Sequence, residues 1–301
     1  MSAIPTQPII VRIKNAVQLK RIAQCFFILF LGVYCLSPVF VRADDSAPAA
    51  QRIASLNLCV DQILLQLVPR ERIVSLTSLA ANPSLSMFAD RVGDIHLNRG
   101  LAEQLVPLQP DLVLAGQYTD GAAVSMLKRL GVRVETVALP RTLDEIRGYI
   151  QHMGVLLGAE DRAEVILAAM ERQFKQLQDK QPGTGGGKIR ALMYSANGIT
   201  FGAGTLEHEL LTLAGYENVA ASMGFSGYAH LSLEHLIQAR PQRLVINDPS
   251  DTGFSIAQDN LRHPVLKRLV PSAHRIVLPS ALSVCSALAV VPLIEALGAK
   301  P

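Results

Sequence analysis

Glu103 and Glu234 stand in matching surroundings, although 131 residues separate them along the chain. Each is followed seven residues later by a proline, Pro110 or Pro241, and then by an apolar run. Two repeated carboxylates can form charge-assisted hydrogen bonds with basic groups on a partner. The repeat predicts one unit used twice: a short helix, a turn at proline and a buried strand. The competing interpretation is that the helix dipole alone favours a glutamate in a first turn.

A second set of residues with binding chemistry lies in predicted loops, several of them following strand patterns. Ligands of open α/β sheets bind beyond the carboxyl ends of the strands. Tyr118 is the foremost of these residues, because tyrosine offers a ligand both an apolar face and a hydroxyl. The residues expected to contact a ligand are Asn57, His96, Asn98, Tyr118, Asn197, Tyr228 and His230. For each residue alone, a solvated loop position is the alternative.

Cys59 and Cys285 are far apart in the sequence and have no CxxC spacing. This excludes a zinc ribbon and a thioredoxin motif. An oxidising compartment permits a disulfide between them, and two separate buried thiols are the alternative. The sequence leaves both open.

Residues 1–43 have the order of a secretory signal peptide: basic residues, an apolar run from Cys25 to Leu36, and Ala43 at a small-residue cleavage site. The run is short of the ~20 apolar residues that span a bilayer, which argues against a membrane anchor. Neither Cys25 nor Cys35 follows a lipobox-like pattern. The segment carries five Lys and Arg and no acidic residue, so its removal changes the net charge from +3 to −2. We therefore expect periplasmic export and no binding to nucleic acid.

The elements that must position these residues alternate between short apolar runs and helical patterns. In the first half, strands are predicted at 53–56, 72–76, 111–115 and 132–137, with helices at 60–67 and 122–130. In the second half, strands are predicted at 189–194, 243–246 and 275–278, with helices at 207–214, 233–239 and 291–297. This alternation predicts an α/β fold with two lobes, mostly parallel sheets, and a core in each lobe.

The stretch from Thr142 to Lys180 reads as almost continuous helix, opened by a capping box at Thr142 and Glu145. Gly154 and Gly158 are predicted to divide it, and its second half can brace two lobes. Gly-rich sequence follows directly. The predicted organisation is a signal peptide at 1–43, an N-terminal lobe at 51–140, connecting helices at 141–181, a linker at 182–187 and a C-terminal lobe at 188–301.

The mature sequence resembles the periplasmic binding proteins for vitamin B12, haem and ferric siderophores. The segment Leu101–Ala115 is similar to the family's Glu-x-Ile-x-x-Leu-x-Pro-Asp-Leu-Val pattern. Four other stretches agree in order and spacing, at Arg52–Asn57, Gly202–Thr205, Ala214–Val219 and Leu231–Glu234.

The resemblance implies two lobes joined by one long helix, a ligand cleft between them and limited opening. It implies a monomer that delivers a small chelate to an inner-membrane ABC permease, with Glu103 and Glu234 docking onto arginines of that permease. If haem is the ligand, Tyr118, Tyr228, His96 or His230 are the expected axial ligands. The vitamin B12 binder lines its cleft with tryptophan, and this chain has none.

Two other classes of protein compete with this interpretation. A zinc or manganese binder needs clustered ligands, but His208 and His235 lack HxxxH or HExxH partners. A secreted hydrolase needs a nucleophile, a base and an orienting group, and no Gly-x-Ser-x-Gly elbow occurs. Gly202 and Gly204 more simply lead into the following helix. We therefore expect a protein that is not an enzyme and has no cofactor or metal site of its own, although its ligand can contain iron or cobalt.

Overall fold

The structure is a computed structural model that describes residues 49–180, 188–248 and 256–298. The predicted signal peptide at 1–43 and the predicted linker at 182–187 lie outside the described residues. No helix within the described ranges is both long enough and apolar enough to cross a membrane.

The N-terminal lobe contains a five-stranded sheet in the order β3-β2-β1-β4-β5, and every strand pair in it is parallel. All five residues of the inner strand at 112–116 are buried, as expected for a parallel sheet covered on both faces. Its strands are β1 (Ile53–Ser55), β2 (Ile73–Thr77), β3 (His96–Asn98), β4 (Leu112–Gly116) and β5 (Val134–Val137). Its helices are α1 (Leu58–Leu67), α2 (Ala102–Leu105) and α3 (Gly121–Arg129).

Two helices, α4 (Leu143–Leu157) and α5 (Glu160–Lys180), connect the lobes and pack against each other. Thr142 caps α4 by accepting a hydrogen bond from the Glu145 N–H. Gly158 ends α4 in the left-handed region at φ 60°, which glycine adopts without steric cost. Gly154 does not divide the helix as predicted. It lies within α4 at a close approach to α5, where a Cβ atom would stand 2.7 Å from the Cβ of Ala163.

The C-terminal lobe contains a six-stranded mixed sheet in the order β11-β10-β6-β7-β9, with β8 beside β6. The strands β7 and β9 pair antiparallel with each other, and β7 is also antiparallel to β6. The strands are β6 (Ile189–Tyr194), β7 (Ile199–Phe201), β8 (Tyr216–Asn218), β9 (Tyr228–His230), β10 (Arg243–Asn247) and β11 (Arg275–Leu278). The helices are α6 (Leu206–Leu213), α7 (Val219–Ser222), α8 (Leu233–Ala239), α9 (Asp259–Arg262), α10 (Pro264–Leu269), α11 (Ser280–Val284) and α12 (Val290–Gly298).

The repeat predicted around the two glutamates is confirmed in the backbone. After α2 and α8 the chain turns through Gln109 and Arg240, whose φ angles of 47° and 45° lie in the left-handed region. The strands that follow, β4 and β10, begin and end at the same offset of 131 residues. The residue just before each strand donates its backbone N–H to an arginine carbonyl. Asp111 donates to Arg52 in the N-terminal lobe, and Gln242 donates to Arg190 in the C-terminal lobe.

The two sheets are separate, but the lobes share part of their core. One cluster of buried apolar residues extends from Ile53 in β1, through α4 and α5, to Leu210 in α6 and Ile294 in α12. Smaller clusters belong to one lobe each. The expectation of a separate core in each lobe is therefore only partly correct, because α12 packs against both α5 and α6 and joins the two cores.

Candidate functional site: the cleft between the lobes

A cavity of about 340 Å³ lies where residues from both lobes meet. Its lining includes Gln117 and Tyr118, which follow β4, and Ser195, which follows β6. The carboxyl end of β10 contributes Asn247. The cavity therefore lies beyond strand ends of both sheets, where α/β folds commonly bind ligands.

The loop after β4 holds Tyr118 at the rim. Thr119 fixes this loop, since its hydroxyl oxygen accepts a hydrogen bond from the Gly116 N–H and its own N–H donates to the Gly116 carbonyl. Asp120 then caps α3 through the N–H of Ala122. Tyr118 thus stands between a strand end and a capped helix, and it is 82% exposed.

Strand pairing, and not a loop, brings Tyr228 to the cavity. Its strand β9 pairs with β7 so that Tyr228 is the register partner of Phe201, and the two rings meet edge to face with centroids 5.5 Å apart. The next residue, Gly202, packs so closely that a Cβ atom would stand 2.2 Å from the carbonyl oxygen of Phe225. Thr205 then caps α6 through the N–H of His208. The glycine segment is therefore a tight turn into a helix, as predicted.

A disulfide between Cys59 and Cys285 forms part of the cavity wall. Their Cα atoms are 5.4 Å apart, and their positions are the start of α1 and the end of α11. The bond that the sequence left open is present in the structure. It ties the N-terminal lobe to the C-terminal segment and lies in the lining itself.

Charged and phenolic groups determine the electrostatics of the cavity. Burial raises the pKa of Glu207, although its own backbone N–H and the Ser286 hydroxyl act in the opposite direction. Burial also raises the pKa of Tyr149. The pKa of Tyr228 is raised by burial and by the charges of Glu207 and Tyr118, and it is lowered by Arg141. Phenol and carboxyl groups here favour their neutral forms.

Two predicted contact residues, Asn57 and Asn98, serve the fold and do not line the cavity. The Asn57 side-chain oxygen caps α1 by accepting from the N–H groups of Cys59 and Val60. Asn98 is fully buried, and its Nδ2 donates to the Ser55 and Leu76 carbonyls and the Ser75 hydroxyl. Its Oδ1 accepts from the Gly100 N–H. Its amide therefore joins neighbouring strands of the sheet.

His96, His230 and Asn197 also lie outside the cavity lining. His96 is exposed on the edge strand β3, and its Nδ1 lies 3.1 Å from the Ser75 hydroxyl. His230 is the register partner of Ile199, two residues along β9 from Tyr228. Asn197 is exposed in the left-handed turn between β6 and β7. Of the seven predicted contact residues, Tyr118 and Tyr228 line this cavity.

Glu103 and Glu234 lie in the first turns of α2 and α8, and both are exposed. The pKa of Glu234 is lowered by a hydrogen bond from its own backbone N–H and by the Ser232 hydroxyl. In the part of the chain that the structure describes, no group of three or more His, Cys, Asp or Glu side chains could hold a metal ion.

The family model for periplasmic binding protein matches residues 53–275. The chain therefore belongs to the periplasmic binding protein family, whose members bind ligands and are not enzymes. The predicted fold class and the prediction that the chain is not an enzyme are confirmed on this basis.

Two relatives are each 25% identical to this chain. One is an uncharacterized ABC transporter substrate-binding lipoprotein from Bacillus subtilis, with 66% of this chain and 64% of the relative covered. The other is a cobalamin-binding protein from Halobacterium salinarum, with 69% and 56% covered. The chain thus spans less than two thirds of the length of these relatives.

A solved structure with the same fold is the apo form of a periplasmic heme-binding protein from Roseiflexus sp. RS-1. The two share a TM-score of 0.65 and 24% sequence identity, over 83% of this chain and 98% of the other. This similarity shows the two-lobed fold.

Sequence reasoning missed much of the lining, including its polar and aromatic residues Arg141, Tyr149, Phe201 and Glu207. Arg141 directly precedes the capping residue Thr142, and Glu207 lies in the first turn of α6, where the helix dipole already accounts for an acidic residue. Tyr149 falls on the buried face of α4 and reads as core. Only the tertiary structure shows that these residues meet.

Proposed function

We propose that this chain is the exported substrate-binding component of an ABC importer. In this proposal its cleft captures cobalamin, haem or a ferric siderophore and delivers it to an inner-membrane permease. One observation carries the proposal: Tyr118 and Tyr228, from opposite lobes, line one open cavity while remaining 82% and 60% exposed. Exposed aromatic rings on both sides of a cavity suit a large flat ligand that covers them on binding.

The chemistry of the lining supports a metal chelate as the ligand. A tyrosine phenolate can hold ferric iron in haem. Among the four axial ligands predicted from the sequence, Tyr118 and Tyr228 line the cavity, whereas His96 and His230 do not. The cobalamin-binding relative and the heme-binding structural neighbour are consistent with this class of ligand and leave the choice within it open.

The repeated unit supports delivery to a permease. Glu103 and Glu234 present one exposed carboxylate from each lobe. Three residues further along, each unit also exposes an apolar side chain, Val106 at 38% and Ile237 at 40%. A carboxylate beside an apolar contact, repeated once per lobe, suits a partner with two equivalent basic sites.

The connections between the lobes support limited opening. The disulfide, the shared core and the packing of α12 against α5 and α6 all join the two halves. The Leu143 N–H at the start of α4 also donates to the Glu209 carboxylate on α6, at 2.6 Å. We therefore propose that ligand capture involves small movements of side chains and loops around a stiff frame.

The proposal is tested by titrating the purified protein with haem, cobalamin and a ferric siderophore while the visible absorbance is measured. We expect saturable, ligand-specific spectral changes with one of them. For the variants Tyr118→Phe and Tyr228→Phe, the matched control is Tyr216→Phe. The Tyr216 hydroxyl donates to the Leu297 carbonyl, and Tyr216 does not line the cavity. Binding of none of the three, together with turnover of ester or glycoside substrates, would contradict the proposal.

A further inference from the structure

Two polar atoms in the cleft are buried without a protein partner. They are the hydroxyl oxygen of Tyr149 and the Oε2 atom of Glu207. Tyr149 is 9% exposed and Glu207 is 7% exposed, and both residues line the cavity. A buried polar group left unpaired destabilises the folded protein. Two such groups in one ligand cavity indicate that the ligand supplies their partners.

The positions of the two groups are fixed by the scaffold. Tyr149 projects from α4, and Glu207 is the second residue of α6. The hydrogen bond from the Leu143 N–H to the Glu209 carboxylate joins these two helices at 2.6 Å. Glu209, and not Glu207, therefore makes the contact between the helices. The helix dipole accounts for an acidic residue in this turn but not for the burial of its carboxyl group.

The charges in the lining restrict the kind of ligand group that can reach Glu207. Among the described lining residues, Glu207 is the one acidic side chain and Arg141 the one basic side chain. Arg141 is exposed, and its charge acts on Tyr228. A ligand carboxylate that reached Glu207 would lose its water beside a second carboxyl group, and burying it there costs more than burying a neutral amide. A neutral primary amide can donate its N–H to Glu207 and accept from the Tyr149 hydroxyl.

We propose that Glu207 and Tyr149 form an amide-recognition site within the cleft. This inference rests on the proposed function and narrows its ligand class: the cleft selects a chelate whose edge carries neutral carboxamides, as a corrinoid does, over a chelate whose edge carries carboxylates. A ligand with carboxylates can pair with Arg141, but it leaves Glu207 and Tyr149 unsatisfied.

The test compares three ligands: dicyanocobinamide, haem, and haem with both propionates converted to carboxamides. The two haem forms share their metal and ring, so they differ only in the groups in question. For the wild type we expect the carboxamide haem to bind at least about tenfold more tightly than haem, since its amides can pair with Glu207 and Tyr149 whereas a propionate would be buried beside another carboxyl group. Glu207→Gln should strengthen haem binding and reduce this preference to within about threefold.

Two further variants separate recognition from folding. Glu207→Leu and Tyr149→Phe should each weaken carboxamide binding about tenfold. Tyr149→Phe should do so with thermal unfolding no lower than that of the wild type, because it removes a buried hydroxyl that has no partner. Glu217→Gln, outside the cavity lining, is the control and should change neither affinity. Equal affinities of the wild type for the two haem forms, or unchanged ratios in Glu207→Gln, would overturn this inference and leave the proposed function standing. Binding of none of the three ligands would overturn this inference, and failure of the ferric siderophore to bind as well would overturn the proposed function.

Discussion

The two lobes each bury a carboxyl group, and they use it differently. In the described part of the N-terminal lobe the group is Asp61, which is fully buried and accepts hydrogen bonds from the N–H and hydroxyl of Thr77. In the C-terminal lobe it is Glu207, whose Oε2 atom has no protein partner and whose side chain lines the cleft. Burial raises the pKa of both groups. The hydrogen-bond partners, and not the burial, distinguish a structural carboxyl group from one available to a ligand.

The lobes also bring their tyrosines to the cleft by different routes. The N-terminal lobe places Tyr118 on a loop that Thr119 fixes after a parallel strand. The C-terminal lobe adds the antiparallel strands β7 and β9, which seat Tyr228 against Phe201. The two lobes thus position a cleft tyrosine in two different ways, and each can be tested against the other.

The largest effect should come from the exposed carboxylates, where the lobes are most alike. We expect Glu103→Ala combined with Glu234→Ala to reduce uptake at least about 100-fold, because both charge-assisted docking contacts are lost. Ligand affinity should stay within about twofold, since neither residue lines the cleft. Uptake is measured with labelled ligand in cells that depend on this chain.

The control is Glu71→Ala with Glu164→Ala, which removes two exposed glutamates elsewhere. A large loss of ligand affinity in the docking variant would count against docking.

The buried carboxyl of the N-terminal lobe should give a pH-dependent stability. Burial raises the pKa of Asp61 from its usual 3.8 to about 7, against hydrogen bonds from Thr77 and Ser55. The folded protein therefore holds this proton more tightly than the unfolded chain does. The stabilisation from this group is full below pH 3.8 and is lost as the pH rises through 7, by roughly 4 kcal/mol if it acts alone.

Asp61→Asn should remove this dependence while keeping an oxygen for Thr77. The difference in unfolding free energy between the variant and the wild type, from denaturant titrations, should then grow in favour of the variant between pH 4 and pH 7. Parallel stability curves across that interval would show that Asp61 does not titrate as described.

A methyl group added at Gly202, in the tight turn of the C-terminal lobe, should destabilise the fold more than one added at Gly121 in the N-terminal lobe. We expect Gly202→Ala to destabilise the fold by about 2 kcal/mol, since the new methyl group would overlap the Phe225 carbonyl. Gly121→Ala at the start of α3 is the matched change, because a Cβ atom there meets nothing within 4 Å. That variant should be neutral or slightly more stable by thermal unfolding. Equal losses in both variants would mean that the close approach at Gly202 is relieved cheaply.

The smallest effect should separate the two tyrosines. If ferric haem binds, we expect Tyr118→Phe to weaken it about tenfold and Tyr228→Phe by less, because a raised pKa makes the phenolate of Tyr228 harder to form. Absorbance titrations measure both, and loss of the ligand-to-metal band in one variant identifies the axial residue. A larger loss in Tyr228→Phe would reverse this assignment.

Much of the fold was predictable because its signals are local. The long strands β4, β6 and β10 are apolar runs, and Thr142 and Gly158 mark the two ends of α4. The strands β3, β7, β8 and β9 were missed because each has three residues, too few to show an alternating pattern, whereas the equally short β1 continues into the apolar Leu56. The prediction that Gly154 divides the helix was wrong, because glycine is favoured both at a helix break and where two helices pack closely.

The candidate site was less predictable. Asn98 follows the pattern of a ligand-contacting loop residue, but its amide bonds to neighbouring strands and to the Gly100 N–H in the following turn. A sequence gives the chemistry of a side chain but not which of its atoms are already paired. The same limit concealed Glu207, whose importance depends on the absence of a partner for one oxygen.

The sequence by itself determined the repeated unit, the α/β alternation, the connecting helices with their cap at Thr142, and the residue types available to the cleft. Each of these depends on residues that are close together in the chain. Only the tertiary structure decided that Cys59 meets Cys285, that the two lobes share a core, and that Tyr149 and Glu207 face one cavity. These facts depend on contacts between residues far apart in the chain, and local physical chemistry does not specify which distant surfaces meet.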